Sequence, residues 1–227
     1  QGGYKMEQKK PIPSISSRLR HHILEVPNEA RRVSGIVING RRIKTLVFTT
    51  DIAIIRNCSA DAVLAVYPFT PQPTISDAIL RYSSLPVFCG VGGGTTQGIR
   101  TTQLAWDAEA EGAMGVVVNA PMGNLDIERI CKYIDIPLVV TVLNEHTDIA
   151  ARLAAGASIL NVSAASRTPE VVSRIREKFP DVPIIATGGP TPESISATVE
   201  AGANAISYTP PTTKELFSQM MEDYRER

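Results

Sequence analysis

The chain has 227 residues, 43% of them hydrophobic and 20% charged, with 23 basic residues balanced by 23 acidic ones. That length suits one large α/β domain or two small ones, and it buries a core without disulfides or metals. Zero net charge argues against a nucleic-acid or membrane-surface partner, either of which calls for a basic excess, and no apolar run reaches the length of a membrane span.

The opening Gln1-Gly2-Gly3 reads as the scar of a cleaved tag, with Met6 as a native start. Residues 14–25 read as an amphipathic helix that plugs one end of the fold. Basic residues cluster here, from Arg18 to His22 and again at Arg31, Arg32, Arg41, Arg42 and Lys44, and read as solvated surface. Residues 33–42, around Gly35 and Asn39-Gly40, read as a turn or short hairpin. Residues 1–44 thus form an N-terminal extension packed on the domain made by residues 45–227.

From residue 45 the pattern alternates. Apolar strands are expected at 45–49, 62–67, 86–90, 115–119, 137–143, 158–162, 183–187 and 205–208. Helices are expected at 52–58, 74–83, 97–112, 125–134, 148–155, from Thr168, from Thr191, and from Thr213 to the end. Expected caps are Thr74 or Ser76, Asn124, Thr147, Thr168 and Thr191. Three stretches share a cadence of small-residue helix, glycine stop and short apolar strand, with the stops at Gly112, Gly156 and Gly202. A glycine there closes a helix in the left-handed conformation. Eight strand–helix pairs point to a (β/α)8 barrel over residues 45–227, with an open doubly wound sheet as the alternative.

Chemistry in such a barrel gathers at the C-terminal ends of the strands. That ring holds Asp51, Asn119, Thr141, Asn161, Ser207 and Thr209, with Glu145 and His146 just beyond one strand. Gly188-Gly189 follows the seventh barrel strand, where backbone amides and a helix N-terminus suit a phosphate; the alternative is a tight turn that needs glycine for geometry alone.

The segment Pro183-Ile-Ile-Ala-Thr-Gly-Gly-Pro-Thr-Pro-Glu-Ser194, running on through "EAGANAIS" to Ser207, resembles the tail of the phosphate-binding barrels. Thiamine phosphate synthase, phosphogluconate-type aldolases and N-acylmannosamine-6-phosphate epimerases carry similar tails, and glycerol-3-phosphate-responsive antiterminators a looser one. The resemblance implies that Gly188 and Gly189 offer amides to a phosphate and that Ser207 to Thr209 complete the site. The chain departs from the pattern after Tyr208, where Pro210-Pro211 removes two amide donors; Thr212 and Thr213 are the substitutes.

A second anion cradle is Gly90-Val-Gly92-Gly93-Gly94-Thr95-Thr96, followed by Arg100 in the next helix. Its alternative is a mobile lid with glycine hinges. No lysine falls at a strand end, which excludes a Schiff-base aldolase, and no G-x-S-x-G elbow is present. The expected function is therefore an isomerase or lyase acting on a small phosphorylated metabolite. Asp51 moves the proton or, alternatively, caps the helix after it; His146 is the other titratable candidate; Asn119, Asn161 and Thr141 orient the substrate. A non-catalytic ligand-sensing barrel is the alternative, and a metal-dependent enzyme using Asp51, Glu145 and His146 a further one. No cofactor is expected outside that last case. Cys58, Cys89 and Cys131, odd in number and without CxxC spacing, point to the cytoplasm, and the chain is expected to be a homo-oligomer.

Overall fold

The computed structural model describes residues 11–226 except 16, 18 and 20–22. The tag-like opening, Met6 and part of the proposed helix at 14–25 lie outside the described residues. The described part of 14–25 is not helical. Leu24 instead runs alongside Cys58 as a short parallel bridge, its amide donating to the Asn57 carbonyl at 2.8 Å.

The N-terminal closure comes from the hairpin of β1 (Ile36–Ile38) and β2 (Arg41–Ile43). Its turn is Asn39-Gly40, both at positive φ, as the sequence predicts. Ile36, Ile38 and Ile43 pack against the inward residues Leu46 and Leu64, so the hairpin does the plugging expected of a helix.

Then come β3 (Thr45–Phe48), α1 (Ile52–Arg56), β4 (Ala62–Ala65), α2 (Pro73–Tyr82), β5 (Val87–Gly92) and α3 (Ile99–Ala110). They are succeeded by β6 (Gly115–Val118), α4 (Asn124–Cys131), β7 (Leu138–Val142), α5 (Ile149–Ala154), β8 (Ile159–Val162) and α6 (Thr168–Lys178). The chain ends with β9 (Ile184–Thr187), α7 (Pro192–Glu200), β10 (Ala205–Tyr208) and α8 (Thr213–Arg225). Strands β3 to β10 close in sequence order into a barrel, every pairing parallel. The fold is a (β/α)8 barrel.

Strands form here because both faces of each are covered. Outward residues such as Val63, Val116, Val140 and Ile184 pack under the helices, through Ile79, Ile127 and Ile195 among others. The helix stops behave as read. Gly112, Gly156 and Gly202 all have φ between 92° and 112°. Behind the first, the Ala113 amide reaches back to the Ala108 carbonyl at 2.9 Å, a bond that closes the helix and aims the chain into β6.

Several caps differ from expectation. Gln72, with Pro73 next, opens α2 in place of Thr74 or Ser76. Gly123 precedes α4, and Asn124 is already helical. Asp148 rather than Thr147 caps α5, accepting from the Ala151 amide. Arg167 precedes α6, and the Thr168 hydroxyl turns back to the Ala164–Ala165 backbone. Thr191 caps α7 as expected, in a reciprocal box with Ser194.

Inside the barrel, the stagger of the registers sets inward side chains of alternate strands level with one another. The lowest layer holds Ala62, Gly115, Ile159 and Ala205; the next holds Leu46, Phe88, Val139 and Ile185. Small residues lie under large ones. A Cβ on Gly115 would lie 2.8 Å from a Phe88 ring carbon and 3.0 Å from the Pro137 carbonyl. Gly115→Ala is therefore expected to cost about 1–3 kcal/mol through overpacking, read as a lowered urea midpoint with an unchanged m-value. An unchanged midpoint would mean that the layer has room to spare.

Candidate functional site

Above these layers the barrel changes character. The third layer holds Leu64, Val117, Asn161 and Ser207, and the fourth Phe48, Gly90, Thr141 and Thr187. Strands β3 to β6 thus give the lumen an apolar wall, and β7 to β10 give it a wall of neutral polar side chains. Thr141, Asn161 and Ser207 are all more than nine-tenths buried.

In the fourth layer Gly90 lies close against its neighbours, a Cβ there falling 3.2 Å from Val66 and 3.3 Å from the Ala65 carbonyl, and a cleft of about 420 Å³ opens beside it. Val66, Gly90, Val117 and Asn119 line its inner end, and Tyr67, Phe69, Thr70, Thr95 and Thr96 its outer end. The cleft descends to Val117, in the layer that carries Asn161. Among the described residues no carboxylate, histidine or lysine lines it.

The glycine-rich loop forms one rim. Gly93 lies at φ 109°, and a Cβ there would sit 2.5 Å from the Asn119 amide nitrogen, so only glycine lets the loop fold over β6. The Asn119 amide donates to the Gly92 carbonyl, and the Gly93 amide to that of Thr96, both at 2.9 Å. The Thr101 hydroxyl holds the Thr96 carbonyl from the other side. The loop is tied down on both sides, which favours a fixed cradle over a hinged lid. Beyond it α3 begins after Gly98, which has no side chain to cap the helix, and the Asp126 carboxylate accepts from the Gly98 amide at 3.1 Å. Arg100 is exposed and does not line the cleft.

Gly188 and Gly189 have a packing explanation. A Cβ on Gly188 would meet Ile206 at 2.8 Å and Ile195 at 3.0 Å, and one on Gly189 would meet the Ser194 hydroxyl at 2.5 Å. The nearby helix ends are self-satisfied: Thr191 and Ser194 cap α7, and Thr212 and Glu215 close α8 with a carboxylate at its N-terminus. Pro192 supplies no amide, and Thr209 is exposed. These observations favour the geometric alternative for the two glycines. Helices α2, α3, α4 and α6 carry no side-chain cap hydrogen bond.

Asp51 is the N-cap of α1. One of its carboxylate oxygens accepts from the amides of Ala53 and Ile54, and the other from the Thr213 hydroxyl. The Thr213 bond, aided by the two amides, holds its pKa below the usual carboxylate range. A carboxylate so held is a weak base, and the cap alternative is the better supported one.

Glu145 pairs with Arg167, which draws its pKa down to about 2. Its second oxygen is buried without a partner. The His146 side chain is 84% exposed, outside the lumen. Cys89 is buried on the outer face of β5, and burial pushes its thiol up to about 12, so it is no nucleophile.

The structure therefore brings together Asn119, Gly92 and Gly94 on the cleft, with Thr141, Asn161 and Ser207 on the polar wall. It leaves Asp51, His146, Arg100 and Thr209 outside that lining. Sequence reasoning does not single out Phe69 or Thr70, though it does take in Thr95 and Thr96 with the glycine-rich loop. The only hint of the first two is the proline spacing of Pro68, Pro71 and Pro73, which stiffens the β4–α2 loop against the cleft.

No protein-family model and no curated protein matches the chain. Solved structures do match in fold. A provisionally named phosphonomutase from Burkholderia cenocepacia J2315 superposes with a TM-score of 0.62 at 16% identity, covering 81% of this chain and 93% of that one. Phosphonopyruvate hydrolase in complex with oxalate and Mg++ gives 0.59 at 14% identity, over 88% and 86% of the two chains. A 2,3-dimethylmalate lyase, a member of the PEP mutase/isocitrate lyase superfamily, gives 0.61 at 13% identity over 80% of each. At such identities the likeness is one of fold, and it does not single out any of the families that the Gly188 tail resembles.

The magnesium in the hydrolase complex corrects the expectation that a barrel of this kind works without a cofactor. The donors present here do not match a magnesium centre, which takes hard oxygen ligands, commonly one or two carboxylates. Among the described residues no three His, Cys, Asp or Glu side chains gather. Asp51 has both oxygens engaged, and Glu145 already faces a guanidinium. Among the described residues no helix is long and apolar enough to cross a membrane.

Asp51→Ala is expected to lose about 1 kcal/mol of stability, the worth of a helix cap, whereas Asp51→Asn keeps most of it because asparagine caps as well. Urea unfolding of the two variants reads the difference. An alanine variant as stable as the parent would remove the capping role.

Proposed function

We propose that the chain binds a small phosphorylated or similarly oxyanionic metabolite in the cleft between the glycine-rich loop and the β4–α2 loop, and converts it by lyase or isomerase chemistry. One observation carries the binding half: Gly92, Gly94, Thr95 and Thr96 of the tied glycine-rich loop line the cleft, where backbone amides and two hydroxyls suit an anion. Asn119, at the inner end, orients the substrate. The reaction class rests on the likeness of fold to the phosphonomutase, the phosphonopyruvate hydrolase and the 2,3-dimethylmalate lyase. In this reading Asp51 is the carboxylate to test as the proton carrier, although it caps α1 and does not line the cleft.

A second reading, a ligand-sensing barrel without turnover, is favoured by the absence of carboxylate, histidine or lysine from the cleft lining. Both readings predict a ligand that raises the melting temperature, because a molecule that binds only the native state stabilises it. Thermal-shift screening against phosphorylated, phosphonate and dicarboxylate metabolites, with and without Mg2+, is expected to give a shift that Gly94→Asp reduces by adding negative charge at the rim. No shift from any anionic compound would overturn the oxyanion site. Where a ligand is turned over, Asp51→Asn separates the readings: lost turnover with binding kept supports the enzyme and its base, and intact turnover removes Asp51 from the chemistry.

The free thiols of Cys58, Cys89 and Cys131 support a place in the reducing cytoplasm. A homo-oligomeric state is supported by α8, which buries no residue of its own and leaves Phe217, Met221 and Tyr224 exposed. Light scattering after size exclusion is expected to give a mass above 24.5 kDa that falls to the monomer value in Phe217→Glu; a monomer in the parent chain would end this reading.

A further inference from the structure

We infer that the barrel lumen beyond the inner end of the cleft, walled by Thr141, Asn161, Thr187 and Ser207, recognises a hydroxyl-bearing carbon skeleton, so that the ligand is a polyol or sugar-like compound rather than a simple alkyl or compact diacid. The inference rests on the proposed binding cleft and adds the part of the ligand that enters the lumen.

The observation that carries it is Asn161. Its side chain is 8% exposed, within the third barrel layer. Its amide nitrogen reaches the Thr141 hydroxyl at 3.4 Å, and its carbonyl oxygen is buried without any partner. Turning the amide over would merely exchange the two atoms: Thr141 can engage one, and the other stays unmet. A buried amide group left unpaired destabilises the protein. A ligand group in the lumen removes that cost.

The surroundings define the group. Thr141, Thr187 and Ser207 stand on the same side, each a hydroxyl that both donates and accepts. None of the five inward polar residues from Asn119 to Ser207 is charged, so a second ionised group at this depth would meet no counter-charge. Neutral hydroxyls of a ligand satisfy donors and acceptors at once. Facing them, Phe48, Leu64 and Val117 offer an apolar wall for the C–H face of the same skeleton. The oxyanion then remains at the rim, on the glycine-rich loop.

The test compares probes of equal charge. Ribose 5-phosphate and erythrose 4-phosphate are expected to raise the melting temperature, whereas propyl phosphate and inorganic phosphate at the same concentration shift it several-fold less. Asn161→Leu is expected to raise the melting temperature of the unliganded protein, because it removes the unpaired polar atom, and to abolish the preference for the sugar phosphates. Equal shifts from propyl phosphate and the sugar phosphates would overturn the inference while leaving the oxyanion rim standing. Shifts from unphosphorylated ribose or erythritol alone would support the inference and overturn the rim. The inference also fails if no hydroxylated probe shifts the protein, or if Asn161→Leu is less stable than the parent.

Discussion

Every strand of the barrel is covered on two sides, and this double burial is the constraint that the rest of the molecule serves. A parallel strand so placed cannot present a charged side chain on either face without a large desolvation cost. Its polar residues therefore gather at its last inward position, with Thr45 at the foot of β3 the exception bonded to Asp61, and its charged residues lie in the loops. That is why the strands read as short runs of Val, Ile, Leu and Ala, and why Thr141, Asn161, Thr187 and Ser207 all fall within one or two residues of a strand end.

The same constraint separates stability from recognition. At the N-terminal end, Asp61 accepts from the backbone of Lys44 and Thr45, and Arg176 grips the carbonyls of Pro180, Val182 and Gly202. These bonds stitch neighbouring loops together and leave no room for a ligand. At the opposite end the strongest ionic contact, between Glu145 and Arg167, ties two rim loops while the lumen itself stays neutral. Recognition is left to amides and hydroxyls.

Much of this is legible in the residues alone. The glycine stops at 112, 156 and 202 mark where helices end, because a left-handed residue there is a local requirement of the backbone. The strand ends come from the same count, and with them Asn119, Asn161, Thr141 and Ser207. What escapes is whatever depends on a partner distant in sequence. Gly188 reads as an anion site until Ile195 and Ile206 are seen to occupy the space its side chain would need. Asp51 reads as a proton carrier or a helix cap, and what the sequence leaves out is Thr213, 162 residues away, whose hydroxyl donates to it. The amphipathic spacing of residues 14–25 suggests a helix, yet Leu24 finds better backbone partners beside Cys58. The cleft beside Gly90 is equally hidden, since its lining comes from strands and loops that meet only in the fold.

The hairpin of β1 and β2 has a kinetic consequence. By sealing the lower end with Ile36, Ile38 and Ile43 it makes the lumen a cul-de-sac with a single doorway. Whatever enters must go in head first and leave by the same route. If the bound molecule is split there, the fragment at the rim departs before the one lodged against Asn161. Release is then ordered, and the deeper fragment acts as the competitive product inhibitor.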